Sequence, residues 1–171
     1  MSASTKVLII IIAAIAFGVG VSVNSASVSD EINIEALLSA KLQVKDTNTA
    51  SASEYLGEIT LINFWASWCA PCRHEMPIFE TMFLQSKSKG FQVIGIAIDS
   101  PEKTQAMLDS MDISYPILYA EQTGMELMEL TGNPQGLLPY SLLIDKNGVV
   151  LQQVLGRISA DDIASWIEEY L

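Results

Sequence analysis

The stretch ITLINFWASWCAPCRHEMP, residues 59–77, decides the fold of this chain. Its first seven residues, 59–65, are apolar and rich in β-branched and aromatic side chains, which is typical of a short buried strand. A helix is predicted over residues 70–87, because Gly90 follows as a terminator. The stretch therefore indicates a buried strand that passes directly into a helix.

Two cysteines lie at this strand-to-helix junction, and the chain has no others. Two cysteines placed at random in 171 residues would fall three apart only about once in a hundred times, so the spacing of Cys69 and Cys72 is informative. The N–H groups and dipole at the start of a helix favour a thiolate at Cys69, which we predict to be the nucleophile. Cys72, one helical turn later, is predicted to attack the mixed disulfide formed on Cys69.

Two other interpretations of the cysteine pair remain open from the sequence. A structural disulfide would close a loop of only two intervening residues, which restrains the unfolded chain little. A zinc site needs four ligands, and only His74 adjoins the pair. We expect no metal and no cofactor.

The elements predicted outward from this stretch give an alternating order that ends in a hairpin. Downstream, strands are predicted at Phe91–Ile98, Tyr115–Tyr119, Tyr140–Asp145 and Val149–Leu155, with helices at Glu102–Asp109, Gly124–Leu130 and Ser159–Leu171. Upstream, a short helix is predicted at Asp30–Ala40 and a weak strand at Leu42–Lys45. Central parallel strands followed by an antiparallel hairpin predict an α/β fold, with a mixed central sheet and helices on both faces.

Residues 64–77 resemble the active-site stretch of thioredoxin-fold proteins, and among these the TlpA-like family, which includes the ResA and CcmG types. The resemblance covers residues 54–171 and implies a thioredoxin fold. It also implies an extracytoplasmic, membrane-anchored thiol–disulfide oxidoreductase that reduces protein disulfides, as in cytochrome c maturation or copper-site assembly. A protein thiol or disulfide substrate and a membrane electron donor are the partners implied, and we expect a monomer.

The resemblance also assigns substrate-binding residues. Pro139 matches the cis-proline that faces the cysteine pair in this family, the alternative being an ordinary trans turn proline. The backbone of Leu138 is then predicted to pair with an extended substrate segment. Trp68 is expected to shape this surface rather than to act in catalysis. The resemblance does not assign Asn133, Gln135 and Tyr140, which are further candidates for pocket residues.

Glu75 resembles an acid that ResA-like proteins place beside their cysteines, and it is the third candidate catalytic residue. Its predicted role is to take and return the Cys72 proton. The alternative is an exposed acid that complements the helix amino terminus. Asn63 stands where thioredoxin carries a buried aspartate, and an amide cannot relay a proton, so that role falls to Glu75, to water or to nothing.

The amino-terminal residues 1–29 are predicted to be a transmembrane anchor or a signal peptide. Residues 7–23 form an uncharged apolar run of 17 residues, at the short limit for crossing a bilayer and longer than most signal-peptide cores. Lys6 precedes the run and acidic residues follow it, so the positive-inside rule places the rest of the chain outside the cytoplasm, on the periplasmic side. An inner-membrane anchor is favoured, residues 30–53 are predicted to be a linker or amino-terminal extension, and residues 54–171 the thioredoxin-like domain.

The formal net charge of −11, from nine basic and twenty acidic residues, disfavours nucleic acid as a partner. Three functions remain compatible with the cysteine pair: a disulfide reductase, a dithiol oxidase or isomerase, and a copper(I)-binding assembly chaperone. The first two differ only in reduction potential and partner. The third requires an additional soft or imidazole ligand beside the thiolates.

Overall fold

The computed structural model describes residues 32–44 and 48–171. At its centre is a seven-stranded mixed sheet of order β2-β1-β5-β4-β3-β6-β7. The strands are β1 (Leu42–Gln43), β2 (Thr49–Ala50), β3 (Ile59–Trp65), β4 (Phe91–Ala97), β5 (Ile117–Tyr119), β6 (Tyr140–Asp145) and β7 (Val150–Leu155). The helices are α1 (Ile34–Ser39), α2 (Ala70–Ser86), α3 (Pro101–Ser110), α4 (Gly124–Leu130) and α5 (Ala160–Tyr170).

The central strand β3 is buried along its whole length because helices cover both faces of the sheet. It pairs in parallel with β4 and antiparallel with β6. Leu61 and Trp65 pack in one core layer with residues of α2 and α5, whereas Ile62 and Phe64 pack in the other with residues of α1 and α4. This double burial explains why residues 59–65 are almost continuously apolar.

The predicted α/β fold with a mixed sheet is confirmed, and most predicted elements lie within one or two residues of their observed bounds. The strand predicted to begin at Tyr115 begins at Ile117 instead. Pro116 has no N–H to give to a strand ladder, and the N–H of Tyr115 is directed to the carboxylate of Glu80. The first two residues of the predicted strand are therefore outside the sheet.

Residues 30–53, predicted to be a linker or amino-terminal extension, include elements that pack on the domain. In α1, Leu37 is fully buried. The two-residue strand β1 pairs with β2 on one side and with β5 on the other, where Gln43 lies opposite Tyr119. These elements precede the domain predicted over residues 54–171 and pack against its sheet. The missed elements, β2 and a 3₁₀ turn at Ala52–Tyr55, are too short to produce a hydrophobic period.

The predicted membrane segment, residues 1–29, lies outside the described residues. Within residues 32–44 and 48–171, no helix has both the length and the apolar character needed to cross a bilayer.

Candidate active site

The two cysteines form a disulfide at the amino terminus of α2. Cys69 is the N-cap residue, and its sulfur accepts a hydrogen bond from the N–H of Cys72 at 3.3 Å. The two Cα atoms are 5.3 Å apart. Cys69 is 5% exposed and Cys72 is fully buried, so Cys69 is the more accessible of the two. Pro71 in the first turn suits helix initiation, because proline lacks the N–H that the first turn leaves unpaired.

A buried aspartate fixes the turn that leads into the cysteines. Asp99 follows β4 and is 5% exposed. Its Oδ2 accepts hydrogen bonds from the N–H and the hydroxyl of Ser67, both at 2.7 Å. The N–H of Cys69 is bonded to the carbonyl of Ala66 at 3.1 Å. The backbone just before Cys69 is therefore tied to the end of the neighbouring strand.

The Leu138–Pro139 peptide bond is cis and lies at the same end of the sheet as the cysteines. Phe64 of β3 pairs with Tyr140 of β6. Pro139 directly precedes Tyr140, so the cis bond lies close to where β3 ends and the turn to the cysteines begins. Pro139 therefore lies near the carboxyl end of β3, the strand that leads into the cysteine pair.

Asn133 holds the loop before the cis-proline from inside. Its amide donates to the carbonyl of Leu137 at 2.8 Å and accepts from the Leu137 N–H at 3.2 Å. Asn133 is 5% exposed and Tyr140 1% exposed, with the Tyr140 hydroxyl donating to the carbonyl of Thr131. Asn133 and Tyr140 were predicted to line a pocket. They are instead buried and support the loop from beneath. Gln135 is exposed.

Glu75 is fully buried one turn of α2 beyond Cys72. Its Oε1 accepts from Asn63 Nδ2 at 3.0 Å, and its Oε2 accepts from the N–H of Ile158 at 3.1 Å. Burial raises the pKa of Glu75 to about 7, against the opposing effects of these two donors and of the Arg157 charge. The interpretation of Glu75 as an exposed acid is therefore wrong. Nothing in the sequence pointed to Ile158, which is 83 residues away.

The two tryptophans of the site have opposite environments. Trp68, next to the nucleophile, is 66% exposed, while Trp65 is fully buried in the core layer beneath α2. Leu137, in the cis-proline loop, is 47% exposed. Trp68 and Leu137 are thus apolar side chains exposed at the surface.

No group of three or more His, Cys, Asp or Glu side chains that could hold a metal ion occurs in the part of the chain that the structure describes. His74, the residue considered as a third ligand, is exposed on α2.

Comparison with known proteins points to one family. The sequence model of the AhpC/TSA family matches residues 35–153. Thiol-disulfide oxidoreductase ResA of Bacillus thuringiensis subsp. konkukian is 30% identical over 132 residues, which cover 77% of this chain and 67% of that protein. ResA of Geobacillus kaustophilus is 30% identical over 117 residues, 68% of this chain. The aligned segment spans 65% of the length of the G. kaustophilus protein, slightly less than two thirds.

Solved structures agree with the sequence relatives. A putative thiol:disulfide interchange protein DsbE from Chlorobium tepidum is 30% identical, with a TM-score of 0.62 over 74% of this chain and 87% of that one. A thioredoxin-related protein from Neisseria meningitidis serogroup B is 27% identical, with a TM-score of 0.66 over 77% and 98%. The chain therefore has the thioredoxin fold.

Proposed function

Because the chain belongs to the AhpC/TSA family and has ResA-type thiol-disulfide oxidoreductases among its relatives, we propose that it reduces disulfide bonds of protein clients. The observation that carries this proposal is the disulfide between Cys69 and Cys72 at the amino terminus of α2. A pair that closes reversibly in this position exchanges two electrons with a client.

In the first step of the proposed mechanism, the Cys69 thiolate attacks one sulfur of the client disulfide. A bond forms between Cys69 Sγ and that sulfur, and the other client sulfur leaves as a thiolate that takes a proton from solvent. The N–H of Cys72, which donates to Cys69 Sγ, and the dipole of α2 stabilise the attacking thiolate.

In the second step, Cys72 attacks Cys69 Sγ in the mixed disulfide. The remaining client sulfur leaves as a thiolate, and the Cys69–Cys72 disulfide forms. Two electrons have then passed from the cysteine pair to the client. A dithiol donor must return the pair to its reduced form, and we assign this role to a membrane protein.

Glu75 supplies the base for the second step. Cys72 is fully buried, so its proton cannot pass directly to bulk water. Glu75 is buried one helical turn away, and its pKa of about 7 allows it to take a proton and return it at neutral pH.

The client is expected to bind as an extended segment across the cis-proline loop. Among the described residues, hydrogen bonds occupy both backbone groups of Leu137 and the carbonyl of Pro139, and none involves the backbone of Leu138. That backbone is therefore available to pair with a client strand beside the cysteines. Trp68 then packs on the apolar side chains of the bound segment.

We place this activity on the periplasmic side of the inner membrane, with residues 1–29 as the anchor. The clients proposed are disulfides that block a metallation or haem-attachment step, as in cytochrome c maturation or copper-site assembly. An oxidase or isomerase would use the same residues. The reduction potential separates them, since a reductase should lie near the −270 mV of thioredoxin and a strong oxidant near −120 mV.

The proposal is tested with two single substitutions. Cys69→Ser should abolish reduction of insulin disulfides, whereas Cys72→Ser should retain one attack and trap the client as a mixed disulfide. Purifying the Cys72→Ser adduct from cells would identify the client. Normal turnover by Cys72→Ser would rule out the two-thiol mechanism.

A further inference from the structure

A buried amide connects the proposed base to the sheet. Asn63 lies on β3 and is 1% exposed. Its Nδ2 donates to Glu75 Oε1 at 3.0 Å and to the hydroxyl oxygen of Ser141 at 2.9 Å. Its Oδ1 is buried and has no hydrogen-bond partner among the described residues. Leaving a buried polar atom unpaired costs about 1–3 kcal/mol, so this oxygen needs an explanation.

The two oxygens of Glu75 have unequal partners. Oε2 faces the N–H of Ile158, a backbone group that can only donate. A proton taken up by Glu75 must therefore sit on Oε1, where it faces Asn63. When the carboxylate is ionised, the NH₂ group of Asn63 faces Oε1. If this arrangement persisted after protonation, the NH₂ group and the protonated Oε1 would be two donors facing each other.

A half-turn of the amide removes this opposition. It exchanges Nδ2 and Oδ1, so that Oδ1 accepts from the protonated Oε1 of Glu75. The Ser141 hydroxyl can donate as well as accept, and it keeps its hydrogen bond with Asn63 in either arrangement. The oxygen that lacks a partner while Glu75 is ionised thus gains two donors when Glu75 is protonated, while the NH₂ group gives up its two acceptors and moves to the position where Oδ1 had no partner.

We propose that Asn63, supported by Ser141, is a positioning residue that holds the Glu75 carboxyl at one place in both its ionised and its protonated form. This inference rests on the proposed role of Glu75 as the base for Cys72. A carboxyl that kept its position would accept and return the proton of Cys72 without rearrangement of α2.

Several charged or titratable groups face Glu75 from other elements. Arg157, in the segment between β7 and α5, places a positive charge near it. Tyr115, before β5, is buried, and its pKa is raised by that burial and then by the charges of Glu80 and Glu75. On α2, Cys72 precedes it by one turn. The variants below leave all these groups in place.

The test follows Glu75 directly by ¹³C NMR of the side-chain carboxyl in the oxidised full chain. The disulfide keeps Cys69 and Cys72 from titrating, and the Glu75 signal is identified by its loss in Glu75→Gln. Asn63→Leu removes the donor to the ionised form, so the midpoint of the titration should rise by about one pH unit. Ser141→Ala keeps that donor but removes the hydroxyl that holds the Asn63 amide in place. A smaller rise of the titration midpoint is therefore expected.

Ile62→Ala is the matched control, because Ile62 is a fully buried neighbour on β3 that packs in the opposite core layer. It should destabilise the fold without moving the Glu75 midpoint. If Asn63→Leu does not fold, Asn63→Ser, whose side chain is too short to reach Glu75, carries the same expectation. An unchanged midpoint in the Asn63 variants, or an equal rise in Ile62→Ala, would refute the positioning role.

The pH dependence of insulin reduction gives a second readout. In Asn63→Leu its midpoint should move in the same direction as the NMR midpoint, whereas a merely structural role would lower the rate equally at every pH. If the unaltered chain does not reduce insulin, the proposed function fails. The NMR titration of the oxidised chain still decides the role of Asn63.

Discussion

We expect Glu75→Gln to make the oxidised protein more stable at neutral pH while changing its stability little near pH 4. In the folded chain, burial holds the pKa of Glu75 at about 7, compared with 4.5 for an ordinary glutamate. Below pH 4.5 both the folded and the unfolded chain carry the proton. As pH rises from 4.5 to 7, the unfolded chain releases the proton first, and the free energy of unfolding falls.

The size of this effect follows from the two pKa values. Each pKa unit corresponds to about 1.4 kcal/mol, so ionisation of Glu75 costs the folded state roughly 3 kcal/mol by pH 8. Glutamine resembles the protonated acid: its oxygen accepts from the N–H of Ile158 and its NH₂ group faces Asn63. The stability gained by the variant should therefore be near zero at pH 4 and rise to roughly 3 kcal/mol at pH 8.

Urea unfolding of the oxidised protein, followed by tryptophan fluorescence, measures this difference at pH 4, 6, 7 and 8. Glu129→Gln is the control. Glu129 is exposed on α4, and its replacement removes one negative charge from the same acidic chain. The quantity to compare is the free energy of unfolding of each variant minus that of the unaltered chain, because all other titrating groups are shared. A Glu75→Gln difference that is the same at pH 4 and pH 8 would refute the neutral-range titration of Glu75.

Three further substitutions test the supports of the site and the packing of the domain. Asn133→Ala should raise the KM for insulin at least several-fold, with the rate toward oxidised glutathione retained, because the loop that contacts a protein client loses two hydrogen bonds. Asp99→Ala should lower the free energy of unfolding by about 2 kcal/mol in urea, because Ser67 loses two hydrogen bonds. Gly57→Ala should cost about 1–3 kcal/mol in the same assay, because its Cβ would lie too close to the carbonyl of Gly90.

The parts of the fold that the sequence predicts correctly are those with local signals. Residues 59–65 combine an apolar run with a following helix start, and β3 and α2 occur where these signals place them. The resemblance of residues 64–77 to ResA-type proteins is confirmed by the family match and the relatives. By contrast, β1 and β2 are two-residue strands that depend on pairing, β2 with β1 and β1 also with β5, and only β1 was predicted, as the weak strand Leu42–Lys45.

The environment of Glu75 was beyond sequence reasoning because it depends on contacts between distant segments. Spacing on α2 places Glu75 one turn after Cys72, but spacing alone left open whether the side chain was exposed. Its burial requires β3 beneath it and the segment before α5 beside it, which approach only in the folded chain. The same holds for Asp99, since its bond to Ser67 joins the ends of β4 and β3.

The stability that Glu75 costs is itself an argument for a role in chemistry. A domain of this size is stable by about 5–15 kcal/mol, so roughly 3 kcal/mol lost to one ionisable group at neutral pH is a considerable fraction. An apolar side chain at this position of α2 would not lower the stability in this way, because it has no charge to bury. The two groups that meet the carboxyl, Asn63 and the N–H of Ile158, stabilise its ionised form only in part. They leave its pKa near 7, where the carboxyl can both accept and release a proton at neutral pH. A buried thiol pair needs such a group, whereas a position that serves only packing does not.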